Sequence, residues 1–80
     1  MVVTLVFLGK LADLAGEGER ELAAPLNWQG LLAALGDDLG EFIAGETVKL
    51  ALDGELLADK TTLLAVDGSE IALLPPVSGG

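Results

Sequence analysis

A chain of 80 residues with 13 acidic and four basic side chains, a formal charge of −9, has room for one domain only. Its 51% hydrophobic content must build a single thin core, because a domain this small buries only about 60–65% of its unfolded surface. The lack of Cys and His excludes disulfide staples, thiol nucleophiles, thiolate metal sites and the usual near-neutral acid–base group, while the negative field disfavours nucleic acid and anionic membranes as partners.

Met1 to Leu8 is apolar but far shorter than the roughly 20 residues of a spanning helix. No Lys or Arg precedes it and no small-residue cleavage site follows, so the expectation is a cytoplasmic protein without a signal peptide. Val2 to Leu8 is β-branched and aromatic and stops at Gly9, which predicts a strand with Val3, Leu5 and Phe7 inward. Val2, Thr4, Val6 and Leu8 then point outward. Lys10 to Ala15 predicts one helical turn with Leu11 and Leu14 on one side, broken by Gly16-Glu17-Gly18. Glu19 to Ala24 is a weaker strand with Leu22 inward, ended by Pro25.

Asn27 is a good helix N-cap. Beyond it Trp28, Leu31, Leu32, Leu35, Leu39, Phe42 and Ile43 recur at three- and four-residue steps, an amphipathic helix pattern. Gly36 and Gly40 each cost about 1 kcal/mol in a helix interior, so the reading is one helix to about Leu35 and then a second turn capped by Asp37 or Asp38. Asp37, Asp38 and Glu41 offer carboxylates for a weak cation site, but surface charges near a helix start explain them more simply.

From Thr47 the period returns to two, with Val48, Leu50 and Leu52 facing one way and Lys49 and Ala51 the other. Asp53-Gly54 is a hairpin turn, and Glu55 to Ala58 begins the returning strand. Thr61 to Val66 bridges to a second turn at Asp67-Gly68. The last strand is Ser69 to Leu74, with Ile71 and Leu73 inward. The order ββαβββ, with the first and last strands adjacent in the centre, is an α+β, β-grasp (ubiquitin-like) arrangement: a mixed sheet of about five strands covered on one face by one main helix. The predicted division is a β-grasp domain over 1–75 and a projecting tail over 76–80.

No nucleophile–histidine pair, metal-ligand spacing or phosphate loop is present, and the carboxylates are scattered among turns. A self-sufficient enzyme is not expected. The unusual segment is Pro75-Pro76-Val77-Ser78-Gly79-Gly80. Two prolines end the strand and stiffen the exit into an extended rod. Gly79 and Gly80 have no Cβ to clash inside a narrow channel, and the Gly80 carboxylate is unhindered toward an activating enzyme. The simpler reading is a frayed terminus, which the stiff Pro-Pro lead-in argues against. Beside it, Val6, Leu8, Ala72 and Leu74, with Leu56 near, form an outward apolar group. It reads either as a docking patch or as the ordinary apolar exposure of a small domain.

These residues resemble the MoaD family of small sulfur-carrier subunits of molybdopterin synthase, over the whole length. Leu5-Val6-Phe7-Leu8 with Leu11-Ala12-Asp13-Leu14-Ala15-Gly16 is similar to the family's opening strand and short helix. Asp67-Gly68-Ser69-Glu70-Ile71 with Pro75-Pro76-Val77-Ser78-Gly79-Gly80 is similar to its closing signature, and the Pro-Pro lead-in separates it from thiazole-forming carriers similar to ThiS. Ala12, Asp53, Leu73 and Leu74 depart from the family's usual residues, and the 59–66 link is slightly long. The resemblance implies a non-catalytic carrier that holds no cofactor. A MoeB-like E1-type enzyme would use ATP to adenylate Gly80, and a sulfur donor would convert it to a thiocarboxylate. The tail, Pro75 through Gly79, would enter a MoaE-like large subunit that passes sulfur to the pyranopterin precursor. Leu8, Leu56 and Leu74 would be the docking patch. Two alternatives stay open: a sulfur carrier or ubiquitin-like modifier for another pathway, and a binding module that never reacts.

Overall fold

A computed structural model describes residues 1–75, and the two strands with the cleanest apolar alternation lie side by side at its centre. They are β1 (Val2–Phe7) and β7 (Glu70–Leu74), paired in parallel with Leu5 opposite Ile71 and Phe7 opposite Leu73. Antiparallel β2 (Glu19–Ala23) flanks β1, and β4 (Lys49–Leu52) followed by β5 (Glu55–Leu56) flanks β7, giving the order β2-β1-β7-β4-β5. A second, two-stranded sheet joins β3 (Leu26–Asn27) to β6 (Leu64–Ala65). This is the expected α+β, β-grasp fold.

The inner face holds the core. Val3, Leu5 and Phe7 of β1, Ile71 and Leu73 of β7, Leu50 of β4 and Val48 just before it are all buried. Each contributes about 1.5–3 kcal/mol by leaving water. Leu11 of α1 (Lys10–Ala15), Leu31 of α2 (Trp28–Leu35) and Ile43 of α3 (Asp37–Ala44) pack onto them. Leu14 does not join Leu11. It is 57% exposed, because so short a helix turns only one residue fully into the core.

Two consecutive helices, rather than one main helix and a turn, cover the sheet. Asn27 caps α2 as expected, its Oδ1 accepting the Gly30 N–H at 2.8 Å. Gly36, at φ +87°, makes the break. Asp37 and Asp38 are not caps; they occupy the first turn of α3, where their charge complements the helix dipole. Gly40 lets the two helices approach, since a Cβ there would sit 3.2 Å from the Leu32 carbonyl oxygen. A residue read from sequence as a helix weakener therefore sits at a point of close packing.

The Asp53-Gly54 turn forms with both residues at positive φ, the two-residue hairpin geometry. The returning strand is shorter than expected and ends at Leu56. The 61–66 segment is not a plain bridge: a 3-10 turn over Lys60–Thr62 precedes β6. Lys60 Nζ donates to the carbonyls of Ile43 and Val48, each at 2.8 Å, and to that of Gly45, tying this segment to the end of α3 and the entry to β4. At the far end Asp67 Oδ1 accepts the Val2 N–H at 2.9 Å, which locks the turn before β7 onto the start of β1. The buried Ser69 hydroxyl accepts the Val66 N–H at 3.1 Å. Among the described residues no helix is long and apolar enough to cross a membrane.

Candidate functional site

With the helices on one side, the other face of the main sheet is left open among the described residues, and the strand register lays its side chains out in three rows. The first runs Glu21, Thr4, Glu70 and Asp53 across β2, β1, β7 and the turn after β4. Asp53 is fixed there because its N–H donates to the Glu70 carbonyl at 2.8 Å and its Oδ1 accepts the Glu70 N–H at 2.9 Å. The second row is Glu19, Val6, Ala72, Ala51 and Leu56. The third holds Leu74 opposite Lys49, with Leu8 beside Leu74 because the Leu8 N–H donates to the Leu73 carbonyl at 3.3 Å.

All three residues expected in the docking patch thus share this face. Leu8 is 38% and Leu56 63% exposed, whereas Leu74 is half-buried. They are joined by half-buried Val6, Ala51 and Ala72. Ala51 bridges Leu56 to Ala72 and was legible only as an outward position; its place in the patch follows from pairing with both neighbours.

The chain leaves the sheet at Pro75, beside Leu8 and Lys49. Gly9 lies close to that exit. Its φ of +55° with ψ −133° is glycine territory, and a Cβ there would meet Pro75 Cγ at 3.1 Å. No local signal announced this contact, since Gly9 and Pro75 lie at opposite ends of the chain. The remaining expected tail residues, Pro76, Val77, Ser78, Gly79 and Gly80, lie outside the described residues.

The electrostatics of this region are simple. Among the described residues Lys49 is the one basic side chain on the open face. Arg20 instead bonds Glu17 and lies 5.5 Å from the Phe7 ring centroid on the core side, and Lys10 stands 5.9 Å from the Phe42 centroid. Burial lowers the pKa of Lys60, with Lys49 adding to the effect and Glu46 opposing it. Asp59 is held below the ordinary carboxylate value by hydrogen bonds from the Thr61 hydroxyl and N–H. Asp37, Asp38 and Glu41 form no cation site, and among the described residues no cluster of three or more His, Cys, Asp or Glu side chains could hold a metal ion.

Comparison with known proteins gives the family and the fold. The ThiS family model matches residues 5–80. A chain from the complex of subunits 1 and 2 of molybdopterin-converting factor of Helicobacter pylori is 30% identical, with 100% of both chains covered and a TM-score of 0.68. SAMP1 of Haloferax volcanii is 25% identical, again with 100% of both chains covered, at a TM-score of 0.72. Small archaeal modifier protein 1 of Methanosarcina acetivorans shares the fold at 23% identity and a TM-score of 0.74, covering 99% of this chain and 96% of that one. No curated protein sequence matches the chain.

Proposed function

The chain belongs to the ThiS family, and on that premise we propose that it is a sulfur carrier for molybdenum cofactor synthesis, loaded on the carboxylate of Gly80. The observation that carries this reading is the exit of β7 from the centre of the sheet, with Pro75 close to Gly9 and beside the apolar face away from the helices. Pro76-Val77-Ser78-Gly79-Gly80 follows in sequence at that point. The Pro75-Pro76 lead-in favours the molybdopterin branch over the thiazole-forming carriers, and the likeness to a chain of the Helicobacter pylori molybdopterin-converting factor complex supports it.

In the first step the Gly80 carboxylate attacks the α-phosphate of ATP on a MoeB-like E1-type enzyme, and pyrophosphate leaves. Sulfide, supplied by a sulfur donor, then attacks the acyl carbon, AMP departs, and a thiocarboxylate remains. The tail, Pro75 to Gly79, enters a MoaE-like large subunit, where the sulfur bonds to the pyranopterin precursor and water cleaves its bond to the Gly80 carbonyl, restoring the carboxylate. The carrier supplies the reacting group and its positioning, while the partners lower the barriers. It is not itself an enzyme and holds no cofactor; the ATP is consumed by its partner. Leu8, Leu56 and Leu74 form the dock through which both partners engage the domain, a small cluster that sets the strength of the interface more than total area does. Its place of work is the cytoplasm.

The likeness to SAMP1 supports a second reading, a modifier joined to lysines of other proteins. Incubating the thiocarboxylate form with a MoaE-like subunit and the pyranopterin precursor separates the two. Sulfur transfer that returns the carrier to its unloaded mass supports the first reading. A competent thiocarboxylate that transfers no sulfur but becomes linked to lysine ε-amines supports the second. A chain that the activating enzyme never loads is a binding module only.

A further inference from the structure

The three rows on the open face differ in chemistry, and their order is fixed by the strand register. Farthest from the tail exit stand Glu21, Glu70 and Asp53, all exposed. The apolar row lies in the middle, flanked by Glu19 on β2. Next to the exit stands Lys49, opposite Leu74, and among the described residues it is the one cation on that face. The fixed charges a partner meets on this face therefore change along the strands, from carboxylates at one end to a single ammonium at the end from which the tail leaves.

Resting on the carrier reading above, we propose that this polarity orients the E1-type activating enzyme so that its tail channel faces Pro75. The surface it fits is an apolar strip with Lys or Arg side chains opposite the Glu21–Glu70 row and a carboxylate at the channel mouth opposite Lys49. The apolar middle supplies contact area but reads almost the same in either direction along the strands. Charge complementarity is what rejects the reversed pose, because like charges then face each other at both ends. General attraction of an acidic protein to a basic cleft makes the opposite demand on Lys49, which it would prefer to see removed.

The test measures pyrophosphate release by a MoeB-like activating enzyme with ATP, as a function of carrier concentration and salt. Glu21→Lys with Glu70→Lys is expected to raise KM about tenfold or more at low ionic strength, with kcat unchanged and the difference shrinking toward 0.5 M salt. Lys49→Glu is expected to raise KM about threefold or more, although it makes the carrier more acidic. Asp13→Lys with Glu41→Lys changes net charge as much on the helical side, and should leave KM within about twofold. Glu21→Gln with Glu70→Gln should give a smaller rise of the same kind, and serves if the lysine variant fails to fold by circular dichroism. Equal rises in the two lysine double variants, or a lower KM for Lys49→Glu, overturn the oriented dock while leaving the carrier intact. A wild-type chain that releases no pyrophosphate overturns the carrier reading, and this inference with it.

Discussion

Replacing Gly9 by alanine perturbs both the backbone and the tail exit, and its cost can be worked from two observations. The conformation at φ +55°, ψ −133° is one that L side chains rarely adopt, a strain of about 1–3 kcal/mol. The new methyl would also stand 3.1 Å from Pro75 Cγ, so the proline or the strand end must move by a few tenths of an ångström. Taking about 2 kcal/mol in all, the melting temperature should fall by roughly 8–16 °C, since each kcal/mol shifts a domain of this size by about 4–8 °C. Thermal unfolding followed by circular dichroism reads the loss. Gly16→Ala is the control: at φ +77° it carries the ordinary left-handed penalty, and no atom lies within 4 Å of its added Cβ. The Gly9 variant should melt below the Gly16 variant. If it melts within about 2 °C of wild type, neither the backbone conformation at Gly9 nor its closeness to Pro75 carries the strain worked out above.

Lys60→Met removes the ammonium that three carbonyls share, and should cost about 1–3 kcal/mol in urea unfolding. Trp28, whose ring centroid lies 5.8 Å from Lys60 Nζ, should report the change in its fluorescence; an unchanged midpoint would show that the clamp adds nothing. Asp59 has its pKa lowered by Thr61, so its contribution is present above the ordinary carboxylate value and is lost as pH falls through the lower folded-state value. The stability gap between wild type and Asp59→Ala should therefore be constant near neutrality and narrow progressively below about pH 4; a gap that widens in acid has the sign reversed. Leu74→Glu should weaken loading by the activating enzyme about tenfold while lowering the melting temperature only a few degrees, because the residue is half-buried on the open face. A fall as deep as that of a core truncation would place Leu74 in the core.

What the sequence made legible is what depends on near neighbours. Period-two alternation placed Val3, Leu5, Phe7, Ile71 and Leu73 inward because each strand buries one face, and a one-residue slip would expose the whole set. The Asn27 cap and the Asp53-Gly54 turn are likewise local chemistry. The misreadings share a different cause. Residues 59–66 look like a linker because their order comes from distant groups: Lys60 reaches the end of α3, and Leu64 and Ala65 pair with Asn27 and Leu26. Gly40 lowers helix propensity locally, yet it sits where an added Cβ would press on the Leu32 carbonyl oxygen of the preceding helix. Leu14 matched the spacing of Leu11 on a helix too short to bury both. At the site, the apolar positions were visible one by one, but the union of Ala51 with Ala72 and Leu56, and of Gly9 with Pro75, required the pairing of strands remote in sequence.

The central claim is that a sulfur atom travels on Gly80, and intact-mass spectrometry tests it most directly. After incubation with a MoeB-like enzyme, ATP and a sulfide source, the chain should gain about 16 Da, as one carboxylate oxygen is exchanged for sulfur, with fragmentation placing the gain on Gly80. Removing Gly80 should abolish the gain without altering the melting temperature. A mass that stays unchanged in the presence of an enzyme active on another carrier, or a gain placed on any other residue, would contradict the account.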